Sequence, residues 1–131
     1  MQTIEKLINL AQHKNQIDIK RDEAKYMNHE WLLQSIIDEV NEVREEIQTH
    51  NTAHLEDELS DILWSWMILV EKLKHKKYIE SHEAIFERAL KKYEERILPL
   101  QGNSNDYLIW KAVKAKQKEE LKAEKNQRNR I

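Results

Sequence analysis

The sequence predicts an all-α protein built as a four- to five-helix bundle. It has a single glycine and a single proline among 131 residues, which leaves almost no turn chemistry for β-hairpins. Apolar residues recur with a period near 3.6 in segments rich in Lys, Glu, Leu, Ala and Gln. Hydrophobic content is 40% and lies in stripes, so we expect burial to be completed by dimerisation.

The first part of the chain predicts two helices separated by a polar segment. An amphipathic helix is expected over residues 3–14, with one apolar face formed by Ile4, Leu7, Ile8 and Ala11. Residues 15–27 are polar and irregular, which indicates a loop or a broken helix. Asn28 is a suitable N-cap for a second helix over residues 28–47.

The third helix is predicted over residues 53–75, after a short polar connection at residues 49–52. Because the connection is short, the second and third helices should be antiparallel neighbours. Ser81 can cap a fourth helix over residues 82–97.

Pro99 and Gly102 should end the fourth helix. Asn105 or Asp106 then caps a final helix that runs to about residue 125.

Composition excludes several functional classes. There is no cysteine, so disulfides, thiolate metal sites and thiol nucleophiles are unavailable. The longest apolar run, residues 62–70, is too short to span a bilayer, and the N-terminus lacks the apolar core of a signal peptide. We therefore expect no membrane association and a cytoplasmic location.

Charge is distributed unevenly along the chain. The net charge is −2, but residues 111–131 carry +5 and residues 1–110 carry −7. A basic segment can contact nucleic acid, yet this one lacks interleaved aromatic residues, which favours a solvated helix end. We expect a domain over residues 1–115, a basic C-terminal helix end over 116–131, and no nucleic-acid partner.

Two acidic strings lie on the second and third helices, Asp38-Glu39-x-x-Glu42 and Glu58-x-x-Asp61. At about 100° per residue, Glu39 and Glu58 each lie about 20° outside the apolar arc of their helix, and Glu42 and Asp61 about 60° further round. Antiparallel packing can therefore bring four carboxylates together. Carboxylates beside a buried seam carry a desolvation cost that Mg²⁺ or Mn²⁺ can offset. The alternative is that these carboxylates face solvent in a non-catalytic helical interaction protein.

Basic and aromatic residues follow at helical spacing. Lys92 and Arg96 stand at i, i+4 on the fourth helix, and Trp110 and Lys114 repeat that spacing on the fifth. Lysine and arginine contact phosphates, and a tryptophan face can stack on a nucleobase. The alternative is ordinary pairing with nearby glutamates and a tryptophan that anchors the core. The chain contains neither an H-E-x-x-H motif nor a glycine-rich phosphate loop.

The two acidic strings resemble the E-E-x-x-E…E-x-x-D signature of MazG-type nucleotide pyrophosphohydrolases, the all-α NTP pyrophosphatase superfamily. The resemblance spans roughly residues 30–115 and is strongest over residues 38–70. It implies a MazG-like bundle in which Mg²⁺, or alternatively Mn²⁺, is held by Glu39, Glu42, Glu58 and Asp61. It further implies catalytic roles for Glu39 and for Asp38, which could orient a water or act as a base.

The resemblance also implies contacts to the nucleotide. Three basic residues would neutralise phosphates: Lys92, Arg96 and Lys114. Trp110 would line the nucleotide pocket. The Trp-Asp and Gln-Thr elements common upstream in MazG proper are not recognisable in residues 15–30, so Asn28 and Trp31 are the remaining candidates for nucleotide binding.

The activity implied by the resemblance is Mg²⁺-dependent hydrolysis of a ribo- or deoxyribonucleoside triphosphate. Metal-activated water would attack the α-phosphorus and release the monophosphate and pyrophosphate. A homodimer or homotetramer is expected, with the nucleotide as partner. Related enzymes specific for dUTP, dCTP or phosphoribosyl-ATP share the acidic helices and remain alternatives.

Overall fold

The computed structural model describes residues 2–21 and 23–129, and these residues form helices and no strand. The elements are α1 (Gln2–Arg21), a short 3-10 helix (Ala24–Met27), α2 (His29–Glu46), α3 (Thr52–His75), α4 (His82–Ile97) and α5 (Asp106–Arg128). The predicted all-α class is confirmed. The chain divides into two compact units, Met1–His82 (unit 1) and Glu83–Ile131 (unit 2).

The first helix is longer than the sequence predicted. The expected helix over 3–14 continues without a break to Arg21, so the prediction of a loop or broken helix was wrong for residues 15–21. A short 3-10 helix occupies the end of the predicted loop, while Asp22 lies outside the described residues.

Two buried polar residues explain the longer helix. Asn15 and Asp18 are each 2% exposed, and they continue the buried face that begins at Ile8 and Ala11. Their polar groups are satisfied by Lys72 of α3, whose Nζ donates to Asn15 Oδ1 at 2.7 Å and to Asp18 Oδ2 at 2.6 Å. Because Asn15 and Asp18 are polar residues at buried positions, the apolar periodicity that predicts a helix is not visible in this part of the sequence.

The second helix begins where the sequence predicted. Asn28 is the N-cap, and its Oδ1 accepts hydrogen bonds from the backbone N–H groups of Glu30 and Trp31 at 2.9 and 3.4 Å. After a short connection, α3 packs against both α2 and α1. The buried core of unit 1 consists of Ile8, Ala11, Leu32, Met67, Ile68 and Leu69.

Only part of the predicted apolar arc of α2 is covered in the structure. Leu32 is buried, whereas Leu33, Ile37 and Val40 are 40%, 53% and 43% exposed. These three residues lie within about 60° of one another on the helix and form what we call the α2 stripe.

Unit 2 contains α5 and all of α4 except its first residue, His82, which belongs to unit 1. The fourth helix begins at His82, directly after Ser81, and ends at Ile97, as predicted. The fifth helix extends to Arg128, beyond the predicted end near residue 125. The side chain of Arg88 on α4 pairs with Glu124 on α5 at 2.9 Å.

The start of α5 differs in detail from the prediction. Asn105 occupies the N-cap position without a side-chain capping bond. Asp106 instead accepts hydrogen bonds from the backbone N–H groups of Gln101 and Gly102, both at 2.8 Å. These bonds, that from Gln101 foremost, hold the pKa of Asp106 below its usual range.

The predicted division at residues 115 and 116 falls inside α5 and stays a prediction. Residues 130 and 131 of the predicted basic end lie outside the described residues. Throughout residues 2–21 and 23–129, no helix has the length and apolar content that crossing a membrane requires.

Candidate functional site

Three carboxylates of α2 and α3 converge in unit 1. Glu39, Glu58 and Asp61 each offer one oxygen, and the three oxygens lie within 4.8 Å of one another. All three residues are half-buried. Glu58 and Asp61 are one helical turn apart on α3, and the packing of α2 against α3 supplies Glu39. We call these three residues the acidic cluster.

Glu42 adjoins the acidic cluster from the exposed side of α2. Its carboxyl group is close enough to Glu39 and Glu58 to raise the pKa of both. The structure thus brings three of the four predicted carboxylates within 4.8 Å of one another, and Glu42 is an electrostatic neighbour of this group. Their role as metal ligands stays a prediction.

Asp38 is not a member of this group in the structure. Its side chain is exposed, and its Oδ1 accepts a hydrogen bond from Gln34 Nε2 at 3.0 Å. The catalytic role of Asp38 stays a prediction.

The electrostatics of the acidic cluster disfavour full ionisation. Burial, followed by repulsion from Glu42, Asp61 and Glu58, raises the pKa of Glu39 to about 7. Burial, followed by the neighbouring Glu42 and Asp61, also raises the pKa of Glu58. Asp57, which directly precedes Glu58 in the sequence, adds to this effect on the pKa of Glu58.

Two buried oxygens of the acidic cluster have no hydrogen-bond partner within residues 2–21 and 23–129. Glu39 Oε2 and Glu58 Oε2 are both sealed from solvent without a donor. Leaving an acceptor unsatisfied in this way is costly, and each buried anionic oxygen adds to that cost. A bound divalent cation would coordinate the two unsatisfied oxygens and would offset their negative charge. Mg²⁺ and Mn²⁺ prefer carboxylate oxygens of this kind as ligands. The residues therefore fit a hard divalent cation.

In unit 2 the structure brings Arg96 and Trp110 together. The guanidinium of Arg96 lies 5.3 Å from the centre of the Trp110 ring and 5.6 Å from that of Tyr93. Lys92 Nζ lies 5.6 Å from the Tyr93 ring, and Lys114 is exposed on α5. The predicted phosphate and nucleotide contacts of these residues stay predictions.

Asn28 and Trp31 stand at the start of α2. The side-chain oxygen of Asn28 is engaged in capping the helix. Trp31 is 46% exposed and meets Tyr26 edge-on, with ring centres 6.2 Å apart. Trp31 therefore has apolar surface open to solvent, and the predicted nucleotide contacts of both residues remain untested.

The buried charge pair between α1 and α3 was missed in the sequence. Burial disfavours the charged form of Asp18, but hydrogen bonds from Lys14 and Lys72 outweigh this and hold its pKa below the usual range. A signal was present, because Lys72 interrupts the buried stripe of α3 between Leu69 and Leu73. A lysine at such a position requires a buried partner.

Fold and site together define an all-α protein with a carboxylate centre suited to a divalent cation between two of its helices. A family model, the MazG nucleotide pyrophosphohydrolase domain, matches residues 27–97, more than half of the chain. The chain therefore belongs to this family, which confirms the family expected from the acidic strings and indicates nucleotide pyrophosphohydrolase activity. Comparisons with curated proteins and with solved structures gave no match.

Proposed function

We propose that this protein is a Mg²⁺-dependent nucleoside triphosphate pyrophosphohydrolase that releases a nucleoside monophosphate and pyrophosphate. The observation that carries the proposal is the acidic cluster, in which one oxygen from each residue lies within 4.8 Å of the others. Glu39 Oε2 and Glu58 Oε2 are buried and accept no hydrogen bond from the part of the chain that the structure describes. Membership of the MazG family supports the same reaction class. Mn²⁺ is the alternative cation.

The residues that would hold the cation are Glu39, Glu42, Glu58 and Asp61. When bound, Mg²⁺ would neutralise phosphate charge and acidify the attacking water. The carboxylates need not surround the ion completely, because Mg²⁺ retains waters and shares phosphate oxygens.

Asp38 is proposed to act on the water. Its carboxylate is exposed and next in sequence to Glu39, and only Oδ1 accepts a side-chain hydrogen bond among the described residues. The free oxygen can accept a proton from water as the water oxygen attacks the α-phosphorus. The bond between the α-phosphorus and the bridging oxygen then breaks, and pyrophosphate leaves with the electron pair.

The basic residues of unit 2 are proposed to contact the phosphates. Arg96 forms no ion pair with a carboxylate in the described part of the chain, so its charge remains available. Lys92 and Lys114 supply two further positive charges, and Trp110 offers an aromatic surface to the base.

A second copy of the chain is proposed to cover the α2 stripe, giving a homodimer or homotetramer. Three large apolar side chains in adjacent positions, each at least 40% exposed, support this assignment. The cytoplasmic location expected from the composition stays a prediction.

The proposal is tested by pyrophosphate release from a panel of ribo- and deoxyribonucleoside triphosphates that includes dUTP, dCTP and phosphoribosyl-ATP. Each reaction is run with Mg²⁺ and with EDTA. The variants are Glu58→Gln and a matched control, Glu56→Gln, which removes an exposed carboxylate two residues away.

Metal-dependent release is expected, with activity lowered about a hundredfold or more by Glu58→Gln because a metal ligand is lost. The control should retain wild-type activity. No release from any substrate, or equal activity of the Glu58→Gln protein, would overturn the proposal.

A further inference from the structure

Gln117 holds the guanidinium of Arg96 in a defined orientation. Arg96 Nε donates to Gln117 Oε1 at 2.7 Å, which joins α4 to α5 within unit 2. Arg96 is 8% exposed. The bond to Gln117 is the one hydrogen bond that its guanidinium makes among the described residues. Gln117 lies beyond residue 97, where the family match ends, and the sequence analysis had placed it in the basic helix end.

The orientation of the Gln117 amide is itself fixed. Its Nε2 donates to the backbone oxygen of Lys92 and to Glu95 Oε1, both at 3.0 Å. Rotating the amide by 180° would place an oxygen against the Lys92 carbonyl and an amino group against the Arg96 donor. The surrounding groups therefore require the amide oxygen to face Arg96.

This arrangement leaves the two terminal amino groups of the Arg96 guanidinium available to a ligand. Within the described residues, neither terminal amino group of Arg96 has a hydrogen-bond acceptor. The rings of Tyr93 and Trp110, at 5.6 and 5.3 Å, further restrict the side chain. A guanidinium held through Nε presents its two amino groups as a planar fork, the geometry that binds two phosphate oxygens at once.

We propose that Gln117 is a positioning residue that orients Arg96 for the polyphosphate group of the substrate. The inference rests on the proposed function, which assigns the phosphate contact to Arg96. It goes further by naming the residue that prepares that contact. Ordering the arginine before the ligand arrives reduces the entropy lost on binding.

The test measures binding of magnesium pyrophosphate to the full chain by isothermal titration calorimetry at a fixed excess of Mg²⁺. Gln117→Glu retains an acceptor for Arg96 but neutralises its charge and loses the donor to Lys92. Gln117→Met keeps the side-chain length without hydrogen bonds, so its result stands if the Gln117→Glu protein does not fold. Gln127→Glu adds the same charge at an exposed position of α5 and is the control.

We expect the Gln117→Glu protein to bind magnesium pyrophosphate about tenfold more weakly, with a matching rise in KM and a smaller change in kcat. Gln117→Met should weaken binding in the same direction. The Gln127→Glu control should match the wild type in affinity and in melting temperature. In an Arg96→Gln background, Gln117→Glu should have little further effect, because its action passes through the arginine.

Wild-type affinity in both Gln117 variants would overturn the inference, as would an equal loss in the Arg96→Gln background or no binding by the wild type. The proposed function is judged separately by nucleotide hydrolysis. Hydrolysis with unaffected Gln117 variants removes only the inference. Absence of hydrolysis, with binding that still depends on Gln117, removes the enzyme activity and retains the positioning role.

Discussion

The folded structure disfavours the ionised form of Glu39 in the acidic cluster. Its pKa is raised to about 7 by burial and by three neighbouring carboxyl groups. In the unfolded chain the same group would ionise near its ordinary value of about 4.3. Between these two values the folded protein binds more protons than the unfolded one, so this group makes the free energy of unfolding decrease as pH rises.

This leads to a prediction for the metal-free protein. In EDTA, the wild type should lose stability between about pH 4.5 and pH 7, whereas Glu39→Gln should show a smaller decrease because the neutral amide does not ionise. Urea denaturation at pH 5 and pH 8 measures the difference. Equal pH dependence in the two proteins would show that folding does not raise the pKa of Glu39.

At the scale of elements, a buried ion pair joins α1 to α3. Lys72 is 0% exposed and Asp18 2%, and Lys14 also donates to Asp18. Removing Lys72 leaves the buried Asp18 carboxylate with Lys14 alone and leaves Asn15 Oδ1 without its donor. Unit 1 therefore depends on a polar contact at a position where most helical proteins place apolar residues.

The prediction is that Lys72→Met lowers the free energy of unfolding by about 3 kcal/mol, and that the double variant Asp18→Leu with Lys72→Met recovers part of this loss. Chemical denaturation of the full chain provides the measurement. Lys6→Met, an exposed change on α1, is the control. A Lys72→Met protein as stable as the wild type would contradict the role assigned to the pair.

The same contact shows what the sequence could and could not predict. The beginning of α2 followed from Asn28 and the end of α4 from Pro99, because capping and helix breaking are local effects. The convergence of Glu39 with Glu58 followed from helical geometry and a short connection. The second half of α1 did not, since Lys72 lies 54 residues from Asp18 and no local pattern links them.

Gln117 was missed for a related reason. Its partner Arg96 lies 21 residues earlier and on another helix. A glutamine in a charged, solvated stretch carries no local signal of such a contact. Motif spacing identified the charged groups of the candidate site, whereas the neutral residue that orients one of them required the structure.

At the scale of the whole molecule, the exposed α2 stripe predicts self-association. The wild type should have at least twice the monomer mass of 15.9 kDa in light scattering coupled to size-exclusion chromatography. Ile37→Arg, which places a charge in the middle of the stripe, should shift the mass toward the monomer. Asn9→Arg adds the same charge on α1 and should not. A monomeric wild type would contradict the proposed oligomer.

The most direct test of the central claim, that the acidic cluster holds a divalent cation, is a Mn²⁺ titration followed by electron paramagnetic resonance of the free ion. The wild type should remove Mn²⁺ from solution, and Mg²⁺ should displace it. Glu39→Gln should weaken binding at least about tenfold, while Glu45→Gln on the same helix should not. Equal Mn²⁺ binding by the wild type and the Glu39→Gln protein, or no binding by either, would contradict the claim.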